Sequence, residues 1–155
     1  MKIRPVIKKD IPQIVKLITE VWAEYDCVLD TETDEKYLLA PGDYFRARGG
    51  EFWVAEESGE IIATVAVMFN DAETAELKSL YVRRAFRKQG LGESLIELVI
   101  KFARKKGAGE IVLWSDTRFT KAHRLYERMN FRNCGMRELF DLNNSIEFNF
   151  GLNLD

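Results

Sequence analysis

Glu76-Leu77-Lys78-Ser79-Leu80-Tyr81-Val82 and, just beyond it, Arg87-Lys88-Gln89-Gly90-Leu91-Gly92 read as a strand that runs into a basic turn and then opens a helix. The first N–H groups of a helix have no intrahelical partner and point outward, so such a turn can hold an anion. Glycines at 90 and 92 let the backbone approach phosphate oxygens with no Cβ in the way, and Arg87 and Lys88 add positive charge. A Gly-x-Gly turn also serves as a plain tight connection. Its place between strand and helix, with basic residues before it, favours anion binding. The spacing is neither the GxxxxGK[ST] phosphate loop nor the three-glycine dinucleotide fingerprint.

Outward from this turn, a long helix is predicted over 91–106, with Leu91, Leu95, Leu98, Val99 and Phe102 at helical spacing. Lys105 and Lys106 complement the negative end of its dipole, and Gly107 supplies a left-handed stop. Before the turn, strands are predicted over 52–56, 61–69 and 75–82, separated by Ser58-Gly59 and Asn70-Asp71. The middle one is apolar on both faces, as a covered strand should be. Further back, a first strand over 3–7 leads to Asp10 as helix cap and Pro12 in the first turn. Ile11, Ile14, Val15, Ile18, Trp22 and Tyr25 then form one apolar stripe. A second helix is expected over 34–48, interrupted near Pro41-Gly42. After the long helix come a buried strand over 111–114, a helix striped by Ala122, Leu125, Tyr126 and Met129, and strands over 135–141 and 145–151. The order β-α-α-β-β-β-α-β-α-β-β is buried most simply by a mixed sheet with helices on both faces.

The chain of 155 residues fits one domain, 1–155, with no repeat or linker. With 46% hydrophobic and 31% charged residues it has the usual globular mix. No apolar run is long enough for a membrane helix, and Met1-Lys2-Ile3-Arg4-Pro5 lacks a signal-peptide core, so the expected location is cytoplasmic and no membrane partner is implied. Cys27 and Cys134 stand far apart, without metal-ligand spacing; reduced, buried thiols are expected. Acids dominate from Glu20 to Glu60, and basic clusters come later, at Arg83, Arg84, Arg87 and Lys88 and at Lys101, Arg104, Lys105 and Lys106. At a net charge of −2 this pattern suits a small polyanion better than nucleic acid.

These features resemble the GNAT superfamily of acetyl-CoA-dependent N-acyltransferases. The run from Arg87 to Gly92 matches that superfamily's R/Q-x-x-G-x-G/A signature, preceded by its usual Leu-Tyr-Val strand end. Ala122-His123-Arg124-Leu125-Tyr126-Glu127-Arg128-Met129-Asn130-Phe131 resembles its second motif, commonly A-x-x-L-Y-E-x-x-G-F. The likeness is strong over 75–131 and rests on element order elsewhere. It implies an α/β (α+β) fold: a mixed, mainly antiparallel sheet whose fourth and fifth strands splay apart to admit the pantetheine arm of acetyl-CoA. Backbone groups of Leu80, Tyr81 and Val82 would pair with that arm. Behind Arg87, the N–H groups of Lys88, Gln89, Gly90, Leu91, Gly92 and Glu93 would wrap the pyrophosphate, and no metal is implied. Two positions depart from the pattern. Phe119 stands where the family often has a cofactor-contacting Asn, leaving that contact absent or made by Thr120 or Ser115. Asn130 replaces the Gly after the helix and should still permit its left-handed stop.

Acyl transfer from a thioester to an amine needs a neutral amine, a stabilised oxyanion and protonation of the departing thiolate. By the resemblance Tyr126 is the acid, since a phenol with a pKa of about 10 stays protonated at neutral pH. Glu76 is the base candidate, in a strand position where some family members carry a catalytic glutamate; a carboxylate that only orients the amine is the alternative. A backbone N–H near Leu80 to Val82 could serve as the oxyanion donor. His123, the lone histidine, is expected at the surface or as a cap, and Arg118 and Arg124 in surface salt bridges. The implied reaction is direct attack of a primary amine on acetyl-CoA in a ternary complex. The acceptor is a small molecule or peptide, and a homodimer is left open. The rival is a catalytically silent CoA-binding regulatory module, against which the presence of both Tyr126 and Glu76 weighs. The acids between Glu20 and Glu35 hint at a cationic acceptor.

Overall fold

Strands apolar on both faces need cover on both sides. In the computed structural model, which describes residues 1–155, the strands are β1 (Lys2–Pro5), β2 (Glu51–Glu57), β3 (Glu60–Phe69), β4 (Thr74–Val82), β5 (Glu110–Asp116), β6 (Arg132–Glu138) and β7 (Ile146–Asn153). The helices are α1 (Ile11–Ala23), α2 (Pro41–Arg46), α3 (Leu91–Lys105) and α4 (Thr120–Arg128). The sheet runs β1-β2-β3-β4-β5-β7-β6, and β4–β5 is its one parallel pair.

Alternation along β2 shows how the cover is divided. Phe52 and Val54 pack with Ile14, Leu17 and Ile18 of α1, whereas Trp53 and Ala55 pack with Leu95, Ile96 and Val99 of α3. Helices α1 and α2 therefore cover one face, and α3 and α4 the other. Full burial of a Leu or Ile side chain contributes roughly 1.5–3 kcal/mol, so these stripes dominate the docking of both layers.

Several boundaries differ from the sequence reading. Asp10 does not cap α1 through its side chain; it is buried and paired with Arg4 at 2.8 Å, and it accepts the Ile7 N–H at 2.9 Å. The helix expected over 34–48 is a 3-10 turn (Lys36–Leu39) followed by the short α2. Pro41 explains the break: the residue before a proline is pushed out of the helical region, and Ala40 sits at φ −149°. Strand β6 begins at Arg132, earlier than expected, with a register shift between Asn133 and Gly135. Asn130, at φ 71°, does end α4 as a left-handed residue.

Two irregularities in β4 shape the centre of the molecule. Pairing of β4 with β5 covers only Thr74, Ala75 and Glu76 against Glu110, Ile111 and Val112. Beyond that point β4 stays with β3 and β5 stays with β7, so the two strands diverge. Opposite Val65, β4 carries an extra residue: Thr64 pairs with Tyr81 but Ala66 with Lys78. Ser79 takes this bulge at φ 55°, and the buried Thr64 hydroxyl donates to its carbonyl at 2.7 Å. A bulge re-aims the side chains beyond it. Leu77, Leu80 and Val82 consequently share the α3 face, leaving Tyr81 against the α1 face.

Candidate active site

The anion turn lies just beyond the diverging end of β4. Gly90 is the N-cap of α3 in the left-handed region (φ 79°), and Lys88 shares that conformation (φ 60°). Ser94 N is the first to bond back into the helix, to Gly90 O at 3.1 Å. The backbone N–H groups of residues 88–93 donate to no protein acceptor. The two glycines are there for different reasons. A Cβ at Gly90 would meet nothing within 4 Å, so the backbone angle is what demands glycine. A Cβ at Gly92 would lie 2.8 Å from Leu125 Cδ2, so there glycine permits close packing of α3 on α4.

Arg87 does not extend its charge freely into this turn. Its guanidinium grips Glu24 at the end of α1 through two bonds of 2.7 Å, and its Nε donates to Val82 O at 2.9 Å. One of the backbone acceptors expected to face a pantetheine arm is thus already engaged.

Tyr126 is buried on the α4 side, its ring tilted against those of Phe131 and Phe150 with centroids 5.8 and 5.5 Å away. Its hydroxyl has no protein partner, and burial pushes the phenol well above its usual range. Tyr81 approaches from the other face, its hydroxyl accepting from Trp22 Nε1 at 2.9 Å. Burial pushes the Tyr81 phenol well up too, with Tyr37 and Tyr126 both close enough to add to the shift. Tyr81 lies on β4 beyond Glu76, the last β4 residue paired with β5.

Glu76 lies where β4–β5 pairing stops, on the α1 face and not beside Tyr126. Its neighbours Ala75 and Leu77 point into the α3 core. Its Oε1 accepts from Asn70 Nδ2 at 3.0 Å, and Oε2 is 3.6 Å from Lys78 Nζ. Lys78 in turn sits over the Tyr37 ring, 5.5 Å from its centroid.

The expectations for His123 and Cys134 are revised. His123 is neither exposed nor a cap: it is buried, bonded through Nε2 to Ser115 Oγ at 3.1 Å and packed between Phe148 and Phe150, and burial lowers its pKa. Ser115 is thereby occupied within the protein. Phe119 packs on Tyr25 and Trp22, tying the start of α4 to the end of α1. Arg118 is bidentate to the buried Asp116 at 2.8 Å. Cys27 is buried, but Cys134 is exposed on β6. No three His, Cys, Asp or Glu side chains gather as a metal site would require, and no helix is long and apolar enough to cross a membrane.

The sequence profile described as the Acetyltransferase (GNAT) family matches residues 14–131. The chain belongs to the GNAT acetyltransferase family. Among GNAT relatives, it is 31% identical over 130 residues to N-acetyltransferase 8 of Homo sapiens, covering 80% of this chain and 56% of that one. It is 33% identical over 120 residues to N-acetylaspartate synthetase of Danio rerio, covering 76% and 40%. The chain thus spans only about half the length, or less, of these curated relatives. In fold it is similar to a Salmonella typhimurium acetyltransferase solved with its cofactor acetyl-CoA, with TM-score 0.79, 21% identity and coverage of 100% and 94%.

Proposed function

We propose that this chain transfers an acetyl group from acetyl-CoA to a primary amine, by direct attack within a ternary complex. The observation that carries the proposal is the run of partnerless N–H groups at 88–93, which opens α3 beside the gap between β4 and β5. Such a row of donors at a helix start fits a pyrophosphate. Residues 88–93 would hold that group, and the β4 edge at Leu80 and Tyr81 would align the arm attached to it. Acetyl-CoA would supply an activated acetyl thioester. Glu76, on the α1 face, accepts a proton from the incoming ammonium through water. Tyr126, on the α4 face, holds its proton at Oη and donates it to the departing sulfur. Neither cysteine suits an acyl-enzyme, since Cys27 is buried with burial raising its thiol pKa, and Cys134 lies on the sheet's edge strand.

Thiol release from acetyl-CoA, screened against a panel of amines, tests the proposal. A protein that binds coenzyme A but releases thiol with none of them would be a binding module instead. Tyr126→Phe sharpens the test, because it removes only a hydroxyl that bonds to nothing in the protein. Turnover should fall at least about tenfold while coenzyme A affinity and melting temperature hold. Wild-type turnover in this variant would remove the phenol from the mechanism.

A further inference from the structure

The loop between α1 and α2 buries a carboxyl that the acetyl-transfer chemistry does not use. Glu35 is only 8% exposed. Its Oε2 accepts the Asp30 N–H at 3.0 Å, and Oε1 has no protein partner. No lysine or arginine pairs with it; the charges that act on it are those of Asp34 and Asp30 in its own loop and Asp141 in the β6–β7 connection. That connection is bound to the same loop, because the Asn143 side chain bonds to both Val28 N and Val28 O at 2.8 Å. From the 3-10 turn and from β4, the phenols of Tyr37 and Tyr81 both feel the Glu35 charge. On the β4 side of Tyr37, Lys78 sits over the ring and beside Glu76, and it makes no ion pair with Glu35. Glu76 thus has a cation beside it, and Glu35 has none.

We propose that Glu35 is the recognition carboxylate for a second ammonium group on the acceptor, so that the acceptor is a diamine or polyamine. This rests on the acetyl-transfer reading, with one nitrogen delivered to Glu76 and the other held at Glu35. A buried carboxylate without a counter-charge is costly, and a bound ammonium supplies the missing charge. Burial, reinforced by the neighbouring acids and opposed by the Asp30 N–H, pushes Glu35 up to about 7 from its ordinary 4.5. The unliganded site therefore carries this cost once pH exceeds that value.

The test compares 1,4-diaminobutane, n-butylamine and aspartate as acceptors in the thiol-release assay, with wild type and Glu35→Gln. The amide keeps an oxygen for the Asp30 N–H but cannot ionise. Wild type should prefer the diamine over butylamine in kcat/KM by at least about tenfold, and Glu35→Gln should collapse that ratio toward one through the diamine KM. A ratio unchanged by the substitution, or aspartate used as well as the diamine, overturns the proposal. Thiol release from none of the three, by a protein that also fails to bind coenzyme A, overturns the acetyl-transfer reading itself.

Melting curves give a second readout that needs no turnover. A folded-state value above the unfolded one means that the stability contribution is present below pH 4.5 and is lost as pH rises through about 7. Glu35→Gln should therefore melt several degrees above wild type at pH 8 and close to it at pH 5. Adding 1,4-diaminobutane at pH 8 should raise the wild-type melting temperature and not the variant's. Equal shifts in the two proteins would place the diamine elsewhere and sink the proposal.

Discussion

Gly90→Asp loses coenzyme A binding, read by calorimetry, while Gly90→Asn retains it within a few-fold. The argument is electrostatic. At position 90 a side chain points into open space, so neither residue meets a steric obstacle. Both must adopt the left-handed angle of φ 79°, which Asn and Asp tolerate better than other side chains. The pair therefore carries a similar backbone cost and differs by one charge. A carboxylate about 5 Å from a phosphate, at an effective dielectric near 20, is repelled by roughly 3 kcal/mol per unit charge, or about two orders of magnitude in affinity. Gly92 would be a poorer probe, because any side chain there strikes Leu125 and disturbs the helix that carries Tyr126. Asp and Asn variants that bind equally well would refute the turn as the anion site. Equal loss in both would assign the effect to backbone strain.

The turn was legible because its chemistry is local: a strand end, basic residues, two glycines and a helical stripe lie within one stretch of chain. The order of elements was legible for the same reason, since each stripe is periodic within its own segment. Contacts between distant segments were not. Nothing near Arg87 in sequence indicates that Glu24, 63 residues earlier, closes on its guanidinium. The β4 bulge did leave a trace. Leu77 and Leu80 are spaced by three rather than two and yet share a face, a break in alternation that a bulge explains. His123 looked like a surface residue because its helix is mostly polar, and its partner Ser115 is on a neighbouring strand. Glu35 was visible only as one acid among many. What distinguishes it is burial without a cation, which depends on how its loop folds against the β6–β7 connection.

Glu76→Gln lowers turnover by roughly two to four orders of magnitude, the usual worth of a general base, and leaves acetyl-CoA affinity nearly unchanged. The replacement is close to isosteric. Its amide oxygen can still accept from Asn70 Nδ2, now 3.0 Å from Glu76 Oε1, so the β3–β4 end should keep its geometry. Affinity holds because Glu76 faces α1, whereas the anion turn opens α3 on the opposite side. A base and a mere anchor for the amine are separated by pH. An alkyl ammonium loses its own proton near pH 10, so a variant lacking only the base recovers as the solution takes over that task. The deficit of Glu76→Gln should therefore shrink about tenfold for each unit by which wild type has already levelled off and the variant still rises. A deficit that stays constant from pH 7 to pH 9.5 assigns Glu76 to positioning. A loss under about threefold at neutral pH removes it from the reaction, and the proton must then leave the amine before it reaches the β4 face.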